Sequence, residues 1–257
     1  MGADYQPKWP EEPAPPSSPE PDRRPRARRA LARAVRHSYD HLGTVLLGSL
    51  LWALVGPGLA LITVSALARS ALGVALVPVA VAGLAAAHAM IFGAGARIAT
   101  GRTEGAADLW PGLARFWPYL GVTATLLAAL VLLAVNALFY SQQAGWVWTV
   151  VMVLLGYGML LVLAVGWYAL PAAAQQELGT RKALYRAVLL ALDNPLFTLA
   201  MLVAQVASWL FALLPLLLRV PFISGLSVLW LLFGAAGSWA VLANEALVEV
   251  MRKYERE

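Results

Sequence analysis

The sequence predicts an all-α membrane protein, a polytopic bundle of six transmembrane helices. Three observations lead there. Sixty per cent of the residues are apolar and 13% are charged, whereas a soluble domain carries about a quarter charged residues. The apolar residues gather in runs of about 20, the length that spans a hydrocarbon core about 30 Å thick. All but two of the 19 Lys and Arg residues fall on one side of those runs. Inside a bilayer the backbone must satisfy its own hydrogen bonds, which leaves helices or closed barrels. Continuous Leu, Ala and Val favour helices, because barrel strands alternate polar and apolar residues.

The spans are placed at 42–68, 71–96, 118–140, 146–170, 196–218 and 222–244. Lys8 and the arginines from Arg23 to Arg36 precede the first. Arg97, Arg102 and Arg115 lie between the second and third, and Arg181, Lys182 and Arg186 between the fourth and fifth. Arg252, Lys253 and Arg256 follow the sixth, and the opposite side receives only Arg69 and Arg219. The positive-inside rule then puts both termini in the cytoplasm of a cell-membrane protein. Trp146 and Trp148 fall where an outer aromatic belt belongs, and Trp110, Trp117, Trp167 and Tyr168 where an inner one does. Ala66-Leu67-Ala68 has the pattern of a signal-peptide cleavage site. The apolar stretch before it exceeds the roughly 7–15 residues of a signal core, so the first span is expected to be retained.

Residues 1–30 are rich in Pro, from Pro7 to Pro25, and poor in aliphatic side chains. They read as a disordered cytoplasmic tail. A membrane domain over 31–250 follows, then a short cytoplasmic tail over 251–257. Arg28–Leu42 has helical spacing of Leu31, Val35, Tyr39 and Leu42, with Arg29, Arg33 and Arg36 on another face. Such a helix is expected to lie in the headgroup layer. The stretches Leu109–Trp117 and Leu178–Leu192 are amphipathic too, so each odd span follows an interfacial segment. That plan suggests three parallel hairpin repeats about an axis along the membrane normal. Anionic headgroups are the expected counter-charge at Arg28–Arg36 and Arg181–Arg186, and nucleic acid is not expected despite a pI near 9.7.

Little chemistry is available inside the spans. There is no Cys, which excludes disulfides and thiolate sites. No phosphate-binding loop, zincin motif or hydrolase elbow occurs. Gly56-Pro57-Gly58 interrupts the first span and predicts a kink or a break. His88 is the one titratable side chain near mid-span, and such residues are functional candidates by default. Asn136 and Gln205 are polar groups expected to bond across helices. Glu245, near the inner end of the sixth span, is expected to reach interfacial water. The small residues Gly83, Ala87, Gly93 and Gly95 predict that span two packs centrally. His37 and His41 have a metal-chelating spacing but no third ligand nearby, so no metal or other cofactor is expected.

The chain resembles the YesL-like family of bacterial membrane proteins, a domain of unknown function. The resemblance starts at Tyr39-Asp40-His41-Leu42-Gly43, Leu50-Leu51-Trp52 and Pro57. It continues through Leu113-Ala114-Arg115-Phe116-Trp117, Ala169-Leu170-Pro171 and the stretch from Lys182 to Pro195, and ends at Met251-Arg252-Lys253-Tyr254. Ser49 stands where an asparagine would be expected, and the long tail is atypical. The resemblance implies a protein without catalytic residues, an accessory to carbohydrate uptake systems with transporter subunits as partners. From the residues themselves, the first expectation is a non-enzymatic membrane protein that assembles with a partner. The alternative is a small-solute or lipid permease whose midplane site gathers Gly56, Pro57, Gly58, His88, Asn136 and Gln205.

Because the chain has no Cys, single engineered cysteines report its topology directly. Cysteines at Ser17 and Arg252 should react with an impermeant thiol reagent only after permeabilisation, and one at Gln143 in intact cells. The reverse labelling would invert the assigned orientation.

Overall fold

A computed structural model describes residues 25–70, 73–218 and 221–254. These residues are helical, with no strand among them. The order is α1 (Ala27–Asp40), α2 (Leu42–Ala53), a π-helical turn (Leu54–Gly58), α3 (Leu59–Leu67) and α4 (Gly73–Ala99). A 3-10 segment (Ala106–Leu109, Pro111–Arg115) leads into α5 (Phe116–Ser141) and α6 (Trp146–Gln175). The chain ends with α7 (Thr180–Asp193), α8 (Pro195–Leu217), α9 (Pro221–Phe233) and α10 (Ala235–Met251). Five helical stretches are long and apolar enough to cross a membrane, and the pair α9–α10, bent by 54°, makes a sixth when taken as one broken span. The protein is a multi-pass, all-α membrane bundle.

The second helix of each hairpin forms the centre: α4, α6 and α10 pack against one another, with α2–α3, α5 and α8 outside them. Burial follows this plan. Phe92, Tyr168, Ala172, Ala240 and Leu247 are fully buried, whereas Leu61, Leu132 and Phe211 on the outer helices are exposed, as a lipid-facing perimeter requires. The contacts are cyclic. The segment before each hairpin rests on the inner helix of the hairpin preceding it: α1 on α10, the 3-10 segment on α4, and α7 on α6. Each outer helix does the same, α2 against α10, α5 against α4 and α8 against α6. A threefold arrangement of hairpins produces this pattern.

Small residues let the inner helices approach. A Cβ on Gly95 would stand 2.8 Å from Asn244 Nδ2 and 3.0 Å from the Ala240 carbonyl oxygen. Asn244 donates through Nδ2 to the carbonyl oxygens of Ala240 (2.8 Å) and Phe92 (3.3 Å). Its Oδ1 accepts from Gln175 Nε2 (2.8 Å). One side chain thus joins α10, α4 and α6.

The elements depart from the sequence expectation at several points. Gly56-Pro57-Gly58 neither breaks nor sharply bends span one, because a π turn absorbs the missing proline donor and the helix continues to Leu67. The sharp bend lies in span six instead, at Gly234, and the span runs on to Met251 rather than ending near 244. The bend exposes the first-turn N–H groups of α10, and Gly234 has no side chain to cap them. Ser49 from α2 supplies the acceptor: Gly237 N–H donates to its Oγ at 2.7 Å.

The expected amphipathic helix Leu109–Trp117 is largely two 3-10 turns, with Leu109 buried and Trp110 exposed. Gly112 presses so closely on α4 that a Cβ would fall 2.0 Å from the Ala89 carbonyl oxygen. Helix α6 passes through Pro171 and ends at Gln175. The expected tail over 1–30 falls mostly outside the described residues, and α1 begins at Ala27. The expected C-terminal tail is docked at its start. Lys253 Nζ lies 2.6 Å from Asp193 Oδ2, and Tyr254 Oη donates to the same carboxylate. Those two hydrogen bonds, Lys253 first, hold the Asp193 carboxyl below its ordinary range.

Helix α1 does more than float in the headgroup layer. Arg33 turns toward α10, where Nε meets Glu245 Oε2 at 2.7 Å and Nη2 meets Glu249 Oε2 at 2.8 Å. His37 Nδ1 lies 2.7 Å from Glu245 Oε1, and the Arg26 N–H donates to Glu249 Oε1 at 3.3 Å. Glu245 is 1% exposed, so it is buried and paired rather than turned to interfacial water. Burial pulls the Arg33 guanidinium down, but the two carboxylates more than offset this and leave it raised. Removing one member of a buried ion pair leaves a charge uncompensated. Arg33→Ala should therefore cost about 3 kcal/mol, the low end for such pairs because Arg33 is partly exposed, and Arg33→Lys should recover only part of it. Thermal unfolding in detergent measures both, and an unchanged melting temperature for Arg33→Ala would refute the clamp.

Candidate functional site

Where α4, α5, α6, α8 and α10 meet, they leave a chamber of about 260 Å³ that is partly open at the exposed Leu163 and Val206. Its wall is mostly aliphatic: Leu84 from α4, Leu126 and Leu130 from α5, Leu163 and Leu170 from α6, Leu202 from α8. The polar groups are His88, Thr123 and Gln205, and the indoles of Trp167 and Trp239 complete the lining.

His88 Nδ1 lies 3.0 Å from Thr123 Oγ1, a contact between α4 and α5. Its ring sits among aromatic rings, with centroids 5.8 Å from Trp239, 6.0 Å from Phe92 and 6.3 Å from Trp52. The Trp239 and Phe92 contacts are edge-to-face, the arrangement that aromatic quadrupoles favour. His88 Nε2 has no hydrogen-bond partner among the described residues. The indole Nε1 of Trp167 is also buried without a partner.

Thr123 and His88 form a hydroxyl–imidazole pair with no third, orienting group among the described residues. No carboxylate lines the chamber to orient the ring, and that third group is what completes a nucleophile–base set. The chamber can enclose an apolar group and offer it a few polar contacts.

Of the six candidate residues, the chamber brings together two, His88 and Gln205. Gln205 makes no hydrogen bond among the described residues, against the expectation of a bond across helices. It also borders a second cavity of about 420 Å³ on the other side of α8, facing α1 and α2. Asn136 lies outside the chamber and bonds back within α5, its Nδ2 donating to the Leu132 carbonyl oxygen at 2.7 Å. Gly56, Pro57 and Gly58 are not in the chamber wall. A Cβ on Gly56 would come 2.9 Å from the Leu84 side chain, which ties this turn to helix packing. Sequence reasoning missed Thr123 and Trp239, and it assigned Trp167 and Tyr168 to the inner aromatic belt, whereas both are buried inside the bundle. Thr123 follows Tyr119 by one turn on a buried stripe of α5, a weak signal in a span apolar on every face.

No family model, curated protein or solved structure matches the chain. The resemblance to the YesL-like family rests on the sequence motifs alone.

The geometry separates two polar residues by their expected cost. Thr123→Val removes the hydrogen-bond partner of His88 and should destabilise the bundle by about 1 kcal/mol. Gln205→Leu removes no hydrogen bond and should stay within about 0.5 kcal/mol of the parent. Unfolding titrations in mixed micelles measure both, and the opposite ranking would contradict the placement of these side chains.

Proposed function

We propose that the chain is a non-enzymatic protein of the cell membrane, with its basic end in the cytoplasm, whose chamber holds the apolar part of a lipid-like amphiphile. The observation that supports this is the chamber itself: an aliphatic and aromatic cavity with a few polar groups converging on it. Such a cavity is the default binding-site candidate in a protein of unknown role. Its volume of about 260 Å³ falls just below the roughly 300–1,000 Å³ of common small-molecule sites. It suits a single chain or a small apolar molecule rather than a whole phospholipid.

Apolar lining also bears on the choice between solutes. Cavities lined by aliphatic side chains stay dry, so a hydrated solute such as a sugar would lose its water contacts with little in return. A lipid chain loses nothing by entering. The lipid form of the permease reading is therefore preferred to the small-solute form. An accessory role beside carbohydrate transporter subunits needs a packing surface for the partner. The small residues of α4 do not offer one, because Gly93 faces Gly112 and Gly95 faces Asn244 within the chain.

Filling the chamber tests the proposal. Gly166 lines it, and a Cβ there would meet only the end of the Leu126 side chain, at 3.2 Å. Gly166→Val and Leu163→Trp should each reduce the lipid that co-purifies with the protein several-fold, read by native mass spectrometry, while the fold survives. Undiminished lipid in both variants would end this reading.

A further inference from the structure

A third cavity, of about 300 Å³, lies at the basic end between the last turns of α4 and α6, the 3-10 segment and the first turn of α5. It is lined by Arg97, Arg102 and Arg115 against two carboxylates, Asp108 and Glu177. Neither acid neutralises the pocket fully. Asp108 is 1% exposed, and its Oδ2 already accepts from the Thr103 hydroxyl and the Glu104 N–H, both at 2.7 Å. Its Oδ1 lies 3.1 Å from Arg97 Nε. Glu177 pairs with Arg115 Nη2 at 2.6 Å but is 72% exposed, so water screens that pair. The exposed side chain of Arg102 has no ion-pair or hydrogen-bond partner among the described residues.

The second observation is at the wall. Tyr119 lines this cavity, is 1% exposed, and its hydroxyl is buried with no hydrogen-bond partner among the described residues. A buried phenol O–H left unpaired forfeits the hydrogen bond it would make with water, at a cost to the fold. An acceptor in the cavity would recover that cost. Three guanidinium groups and a phenol O–H form a donor set in which Arg97 and Arg115 are already paired and Arg102, among the described residues, is not. Planar guanidinium forks match the oxygens of phosphate.

We infer that this cavity is an oxyanion site that takes a phosphate group, carried by a lipid headgroup or by a small soluble molecule. Arg102 supplies the uncommitted charge, Arg97 and Arg115 flank it, and Tyr119 donates its hydroxyl proton to a phosphate oxygen. The site stands independently of what fills the central chamber. The two are nonetheless neighbours along the same helices: Tyr119 is one turn from Thr123 on α5, and Ala174 one turn from Leu170 on α6.

The test is titration of the purified full chain in neutral detergent with inorganic phosphate, dihexanoyl phosphatidic acid and dihexanoyl phosphatidylcholine. Saturable binding of a phosphate monoester is expected, and weaker binding of the zwitterionic lipid. Binding of phosphatidic acid alone identifies a lipid carrier, and comparable binding of inorganic phosphate a soluble one. Arg102→Gln, at an exposed position, should lower the affinity about tenfold. Tyr119→Phe should lower it several-fold, and Arg181→Gln, on exposed α7, should leave it unchanged. Lack of saturable binding by both phosphate and phosphatidic acid would overturn the proposal. So would Arg102→Gln and Tyr119→Phe variants that bind like the parent.

Discussion

Asn244 has no exposed surface, and it uses both N–H donors and its carbonyl oxygen at the point where α4, α6 and α10 meet. In a bilayer no water can replace such partners, so the arrangement in which every donor is met is preferred over any slipped one. Gly95 makes the contact possible by letting α10 come within reach of the Phe92 carbonyl. From this point the rest of the architecture follows. The inner helices are held tightly toward the basic end. One turn before Phe92 on α4, His88 already borders open space. The chamber begins where the close packing ends.

The same constraint sorts the polar groups along the membrane normal. Charged residues pair at the basic end, where α1 closes over Glu245 and Glu249 and the 3-10 segment folds around Asp108. The chamber keeps a single titratable side chain, whose ring is enclosed by Trp52, Phe92 and Trp239. An apolar cavity in the middle and an arginine-lined cavity at the end offer a ligand two different environments. An anionic amphiphile has one part suited to each.

What the sequence revealed, and what it hid, depends on the range of the interaction. The spans, the segment before each hairpin and the central place of span two came from composition and small-residue spacing, which are local properties. The use of Glu245 was hidden because its partner Arg33 is 212 residues away. The bend at Gly234 was hidden for the same reason, since the cap that makes it tolerable is Ser49, 188 residues from the Gly237 N–H that it accepts from. Gly56-Pro57-Gly58 drew attention as a local signal, yet a π turn accommodates it within one helix. Asn136 and Asn244 look alike in sequence. One bonds its own helix near the lipid face and the other joins three helices, and the difference lies only in which face of the span points inward.

A density map of the protein reconstituted in nanodiscs of a single phospholipid tests the central claim most directly. Elongated density is expected in the chamber, passing His88 and Gln205 between α5, α6 and α8. A chamber collapsed by inward movement of α8, or filled with ordered water, would contradict it.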